Sequence, residues 1–468
     1  MAKLPEVWKT GTICAIHKKG PKNDCGNYRP VSLTSILCKV MEGLVRDEIM
    51  KYMIQHNLFS KHQYGFLPGR STVQQLLKIM DRWTEELDKG NTIETVYMDF
   101  KKAFDTVPHQ RLINKLQSYG IKGSLNSWIK DFLLNRSQRV RINKSLSSPL
   151  PVSSGVPQGS VLGPILFVVY INDLPDNLLT NCYLFADDTK IFRTLQPESH
   201  HEDHLQEDLN ALQEWSEKWL LEFHPDKCKR VYIRKHQPDV RSTDLVLCKK
   251  QGNNEIQTKL ETVEVHKDLG IKIDGRLQFD QHISDITSKA NQMMGIIKRV
   301  FRNLNKEVFT PLYKALVRSR LEYGQSIWSP HRLKDIRKIE SVQRRATKQV
   351  QGMTGKTYPE RLRELNLPTL SFRRLRGDMI ELYKLAHSQY DQQTSIEIPF
   401  RENNLRGHNF KIFHTRPATD LRKYAFICRV AEPWNSLPHD VVNAPSMAAF
   451  KRRLDKFWKN HRLMYTQV

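Results

Sequence analysis

Paired cysteines, long apolar runs and acidic residues are all scarce in this 468-residue sequence. The 7 cysteines (Cys14, Cys25, Cys38, Cys182, Cys228, Cys248 and Cys428) are dispersed, with no C-x-x-C pair. That argues against a disulfide framework or a zinc finger and fits reduced thiols in an intracellular protein with no disulfide partner. The longest apolar run, Val161 to Ile171, falls short of the roughly 20 residues a bilayer span needs, and no signal peptide opens the chain, so no membrane is expected. Carboxylates are outnumbered: 50 Asp plus Glu stand against 74 Lys plus Arg, giving a net charge of +24 and a pI of about 9.7. Such an excess suits a polyanionic partner, nucleic acid first, although charge alone describes a ribosomal or membrane-surface protein equally well. The length allows two or three domains with real cores.

The few acidic residues occupy telling places. Tyr183-Leu184-Phe185-Ala186-Asp187-Asp188-Thr189-Lys190-Ile191-Phe192 reads as a tight hairpin carrying two carboxylates at its tip. An Asp pair at a turn also serves purely local ends, because Asp tolerates unusual backbone angles and caps its own turn. Upstream, however, Thr95-Val96-Tyr97-Met98-Asp99 is a buried-type strand ending on a third carboxylate. Two-metal phosphoryl transfer requires several hard oxygen ligands around ions about 3.5–4 Å apart. Between these acids lies Ser154-Gly155-Val156-Pro157-Gln158-Gly159-Ser160-Val161-Leu162-Gly163-Pro164, a Gly-rich loop whose backbone can approach a nucleotide closely. The three elements in this order are far more specific than any one.

The series resembles the reverse transcriptases of non-LTR (LINE-type) retrotransposons, closest to the CR1 and jockey-like groups. That resemblance implies an α+β right-hand polymerase: fingers, a palm with an antiparallel sheet packed on helices, and a helical thumb. It implies an RNA template, a DNA primer or target, dNTPs, and two Mg²⁺ ions, with Mn²⁺ able to substitute. Asp99 and Asp187 match the residues that bind both metals, and Asp188 the supporting carboxylate. Arg29, in Asn27-Tyr28-Arg29-Pro30-Val31-Ser32-Leu33, matches a triphosphate ligand, with Lys18 or Lys19 of the preceding strand beside it. Phe104 matches the aromatic that packs beneath the nucleotide sugar and selects against a 2′-hydroxyl. Gln158 is placed to touch the incoming base pair or template. Lys227, in Phe223-His224-Pro225-Asp226-Lys227-Cys228, matches a general-acid candidate for the leaving pyrophosphate. Leu269 and Gly270, in a strand spanning Val265 to Asp274, resemble the primer grip. Gln63-Tyr64-Gly65-Phe66-Leu67-Pro68-Gly69-Arg70 matches a further finger motif, except that Leu67 stands where the family often has a basic residue. Cytoplasm and nucleus are the compartments the family implies.

The resulting division is fingers over 1–89, palm over 90–275, helical thumb over 276–390 and a C-terminal tail over 391–468 without an assigned mechanism. Spacing predicts a helix from Ser35 to Asn57 with Ile36, Val40, Leu44 and Ile49 in the core. It also predicts thumb helices over Ile283 to Phe301, Phe309 to Leu321 and Arg332 to Gln351. Arg299, Arg302, Arg318, Arg320, Arg344 and Arg345 would grip phosphates there. The cluster His200, His201 and His204, with acidic neighbours and no cysteine, reads as a solvated loop. No endonuclease, RNase H, zinc knuckle, maturase domain or telomerase RNA-binding domain is found. The expectation is therefore a polymerase portion truncated at its 5′ side. The alternative is an element fragment that binds nucleic acid without polymerase activity.

Overall fold

The computed structural model describes residues 3–18, 20–196, 204–235, 244–251, 254–301, 303–401, 408–413 and 416–466. The architecture is α+β, as expected. A central sheet has the spatial order Glu261–Thr262, Lys229–Ile233, Thr92–Met98, Asp188–Leu195, Asn181–Phe185. All its neighbours are antiparallel except the short Glu261–Thr262 strand, which runs parallel to Lys229–Ile233. Thr92–Met98 lies in the middle with both faces covered, and its second half, Val96-Tyr97-Met98, is an unbroken apolar run. Ile93 and Tyr97 pack with the helix Thr72–Asp88 and the C-terminal helices, while Val96 and Met98 pack with the helix Gly163–Tyr170. The one charge in the strand, Glu94, is fully buried and neutralised from both flanking strands, by Arg193 Nε at 2.7 Å and by Arg230.

At the N-terminal side a hairpin forms, with Thr10–His17 antiparallel to Tyr28–Leu33. Its sheet then recruits Arg136–Ile142, parallel to Thr10–His17, so this strand leaves the central layer and joins the N-terminal one. The helix after the hairpin spans Ile36–Gln55, but its inward face differs from the expected one. Ile36, Val40 and Leu44 are 79%, 63% and 61% exposed, whereas Cys38, Glu42, Val45, Ile49 and Met53 are buried. The reason is Glu42, whose Oε2 accepts the N–H groups of Val161 (2.7 Å) and Leu162 (3.0 Å). A carboxylate there satisfies donors at the N-terminal end of the helix Gly163–Tyr170 and complements its dipole. Turning Glu42 inward turns the Ile36–Leu44 stripe outward.

Beyond the sheet the chain is helical. Asp280–Val300 and Leu333–Thr347 match expectation, but the stretch predicted as one helix over Phe309 to Leu321 is broken into Lys306–Leu312, a π-helical turn Tyr313–Arg318 and Ser319–Glu322. Pro311 lies inside it and cannot donate the N–H that would continue the α ladder. Residues 391–395 strap back onto the segment before the helix Thr72–Asp88 and onto its first turn: Arg70 pairs with Asp391 at 2.7 Å, the Tyr64 hydroxyl donates to the Thr394 carbonyl at 2.8 Å, and Gln74 Nε2 donates to Ser395 Oγ at 2.9 Å. Among the described residues no helix is long and apolar enough to cross a membrane. His200, His201 and Arg302 lie outside the described residues, and His204 sits within reach of Glu207 at the start of the helix His204–Trp219.

Replacing Glu42 with Ala takes the acceptor from one buried and one partly buried N–H donor, at a cost of roughly 2–3 kcal/mol. A urea titration of Glu42→Ala beside Glu42→Gln is expected to show the larger loss for the alanine.

Candidate active site

The tip of the hairpin is a two-residue turn, Ala186-Asp187, between Phe185 and Asp188. Ala186 has φ +53°, a left-handed conformation that a residue with a Cβ adopts only when its surroundings hold it there. They do. The Ala186 N–H donates to Gln63 Oε1 at 2.9 Å, and the same oxygen accepts the Gly65 N–H at 2.7 Å. A Cβ on Gly65 would meet the Ala186 nitrogen at 2.5 Å, so only glycine lets the two segments approach. Tyr64 N–H donates to the Leu184 carbonyl and Leu184 N–H to the His62 carbonyl, both at 2.8 Å. The Gln63 motif thus covers the open edge of the central sheet. Leu67, the departure noted in that motif, is buried and packs in the core.

Met98 faces Thr189 across the neighbouring strands, so Asp99, one step further, falls opposite Asp188. Asp99, Asp187 and Asp188 therefore share one end of the sheet. Lys227 Nζ donates to Asp99 Oδ2 at 2.9 Å, and the His224 N–H donates to the Asp99 carbonyl at 2.8 Å. The electrostatics are those of crowded like charges. Burial, and then the charge of Asp99, push the Asp187 carboxyl up, against the pull of its own backbone N–H, Arg29 and Lys18. Withdrawal from bulk water in the cleft, then the charges of Asp187 and Asp268, raise Asp188 to about 6. A divalent cation relieves such repulsion. Among the described residues no group of three or more His, Cys, Asp or Glu side chains is drawn together closely enough to hold a metal ion by itself.

Arg29, Phe104 and Gln158 are gathered as the sequence predicts. They line one cavity of about 230 Å³ with Phe66, Pro157, Gly159 and Pro164. Phe104 stacks on Phe167 with ring centroids 4.4 Å apart. The loop holding Gln158 is docked on the N-terminal hairpin: Ser32 N–H donates to the Gln158 carbonyl at 2.7 Å. Gly159, at φ +118°, lies so close that a Cβ would meet the Ser32 carbonyl oxygen at 2.5 Å. Gln158 Oε1 is buried with no hydrogen-bond partner among the described residues. Lys18 is exposed near Asp187, and Lys19 lies outside the described residues.

The primer-grip candidate is not one strand. Val265–Asp268 and Ile271–Asp274 form a hairpin turning at Leu269 (φ +44°) and Gly270 (φ +91°). Two consecutive positive φ values define a turn that matches strand twist, and only the glycine adopts it at no cost. The Tyr323 hydroxyl donates to the Leu269 carbonyl at 2.8 Å. Behind the turn, Asp268 forms a buried ion pair with Lys190, two residues from Asp188, and His266 stacks on Tyr97 at 4.0 Å. Sequence reading missed Gln63, Phe66 and the Lys190–Asp268 pair. Lys190, placed directly before the apolar pair Ile191-Phe192, was the one signal for the last.

The family model described as reverse transcriptase (RNA-dependent DNA polymerase) matches residues 16–273, over half of the chain. The chain belongs to the reverse transcriptase family. The RNA-directed DNA polymerase from mobile element jockey of Drosophila melanogaster is 28% identical over 365 residues, covering 75% of this chain and 38% of the relative. The protein named "Probable RNA-directed DNA polymerase from transposon BS" of the same organism is 29% identical over 461 residues, covering 92% and 46%. The chain thus spans less than half the length of these relatives. Apo telomerase from Candida tropicalis superposes with a TM-score of 0.42 at 11% identity, covering 77% of this chain and 61% of that one. The resemblance to non-LTR reverse transcriptases read from Asp99, the Gly-rich loop and the Asp187-Asp188 hairpin is borne out by the jockey and BS relatives.

Because the Asp188 carboxyl titrates above its ordinary value of 3.8, ionising it costs folding stability at neutral pH. Asp188→Asn is expected to resist denaturant better than wild type at pH 7. The advantage shrinks as pH falls through about 6 and is gone below 3.8, where both folded and unfolded wild type are protonated. Unfolding midpoints across that range check this.

Proposed function

We propose that this reverse transcriptase is the RNA-directed DNA polymerase of a non-LTR retrotransposon, extending a primer 3′-hydroxyl with dNTPs on an RNA template. The observation that carries the reading is the meeting of Asp99, Asp187 and Asp188 at one end of the central sheet, reached from two adjoining strands and a turn. These are the residues that would hold divalent ions. Such ions, when bound, activate the attacking hydroxyl and neutralise the leaving pyrophosphate.

The chain's own groups do the rest. Arg29 is exposed near Asp187 and supplies a planar, bidentate donor for the triphosphate, with Lys18 as a point charge beside it. Phe104, held by its stack on Phe167, presents a wall that excludes a 2′-hydroxyl. The unpartnered Gln158 Oε1 accepts from the nascent base pair or template. Lys227 shields Asp99 in the free protein and is placed to hand a proton to the departing pyrophosphate. The Leu269-Gly270 turn steadies the primer end, where reaction needs an approach of about 3–3.5 Å. In this assignment the N-terminal hairpin and the Gln63 motif are fingers, the central sheet is palm, and the helices after 276 are thumb. Arg299, Arg320, Arg344 and Arg345 are exposed on those helices and meet duplex phosphates without reading sequence. Arg318 is instead tied to Glu322.

Asp187→Ala is expected to abolish incorporation on an RNA template with Mg²⁺ while leaving template–primer affinity within about twofold, read by primer extension and filter binding. Phe104→Ala is expected to admit ribonucleotides that the wild type rejects, read by the ratio of kcat/KM for the two sugars.

A further inference from the structure

One wall of the cavity shared by Arg29, Phe104 and Gln158 has no task in the reading above. That wall is Phe66, and two of its features run against fold stability. Its side chain is 53% exposed, so it contributes little to any core. Its backbone φ is +59°, a region that a bulky residue occupies only when flanking structure imposes it.

The flanks do impose it. Gly65 is pinned through its N–H to Gln63 Oε1 and lies against Ala186, while Leu67 on the other side is buried. Phe66 is thereby held one residue from the carboxylate-bearing turn with its ring standing out of the core. Strain of this kind, over-determined by neighbours, is retained where a side chain has a ligand to meet. The cavity states which ligand. Two phenyl rings and two prolines give apolar walls, Gln158 offers an unpartnered amide oxygen, and Arg29 offers a cation. A phosphate would use only the cation. A flat heterocycle with apolar faces and polar edges uses all of it.

We propose that Phe66 is a stacking platform for a nucleobase at the insertion position. This rests on the polymerase reading and adds to it a specificity-determining residue. The shared chemistry is the π-face of a base, whether it belongs to the incoming nucleotide or to the template.

The test is single-nucleotide primer extension with the full chain, comparing wild type with Phe66→Ala, Phe66→Tyr and Phe66→Gly. The templates carry either a normal base or an abasic site opposite the insertion position. Loss of an aromatic stack weakens base binding by roughly tenfold or more. Phe66→Ala and Phe66→Gly are therefore expected to raise KM for the dNTP by that factor on the normal template with far less change in kcat, and Phe66→Tyr to keep the wild-type KM. Phe66→Gly should unfold at the same or a higher denaturant concentration, because glycine adopts a positive φ freely. Lost function without lost stability separates a ligand contact from a structural one. If the platform takes the incoming base, the gap between wild type and Phe66→Ala persists on the abasic template; if it takes the template base, the gap closes there. An unchanged KM in Phe66→Ala on the normal template overturns the proposal, and so does a Phe66→Tyr that behaves like Phe66→Ala. If the wild type itself incorporates nothing, the polymerase reading fails separately. Equilibrium binding of dATP and of a short single-stranded RNA to wild type and Phe66→Ala then decides, and equal affinities for both ligands overturn the platform.

Discussion

Negative charges crowded at one end of a sheet repel one another, and much of the surrounding structure serves to keep Asp99, Asp187 and Asp188 where they are. Three supports reach the site from different directions. Gln63 holds the turn through the Ala186 N–H. Lys190, paired with Asp268, ties the strand behind Asp188 to the Leu269-Gly270 hairpin. The loop from Glu222 to Cys228 clamps the backbone around Asp99 and delivers Lys227. The raised titration of Asp187 and Asp188 is the price of that confinement, and it is the kind of perturbation that marks functional clusters.

The carboxylates were legible because their chemistry is carried by residue type and chain order. A strand ending on Asp99 and a turn bearing Asp187-Asp188 need no knowledge of their neighbours to be recognised. The supports were not legible, because each joins residues far apart in sequence: Gln63 to Ala186 and Lys190 to Asp268. Glycine told part of the story. Gly65 and Gly159 are required where two backbones nearly touch, at Ala186 and at Ser32, but the sequence names neither partner.

Periodicity failed where a polar group outweighed apolar ones. The helix Ile36–Gln55 carries apolar residues on more than one face, and the expected stripe of Ile36, Val40 and Leu44 was as regular as the buried one. What chose between them was a single carboxylate, Glu42, needed at the start of another helix. Ile49, which belongs to the buried stripe, was assigned correctly. The Val265–Asp274 stretch misled differently. Its turn begins with Leu269, a residue that turn statistics disfavour at positive φ, so the stretch reads as one strand until the pairing of Asp268 with Ile271 is seen.

The strap from residues near 391 to the Gln63 motif has a consequence for the order in which the molecule can be completed. Tyr64 and Thr394 are separated by 330 positions, as much of the chain as a ribosome takes on the order of tens of seconds to make. Until that strap docks, the segment bracing the acidic turn lacks part of its backing, so this support of the site is completed only after residue 394 has been made.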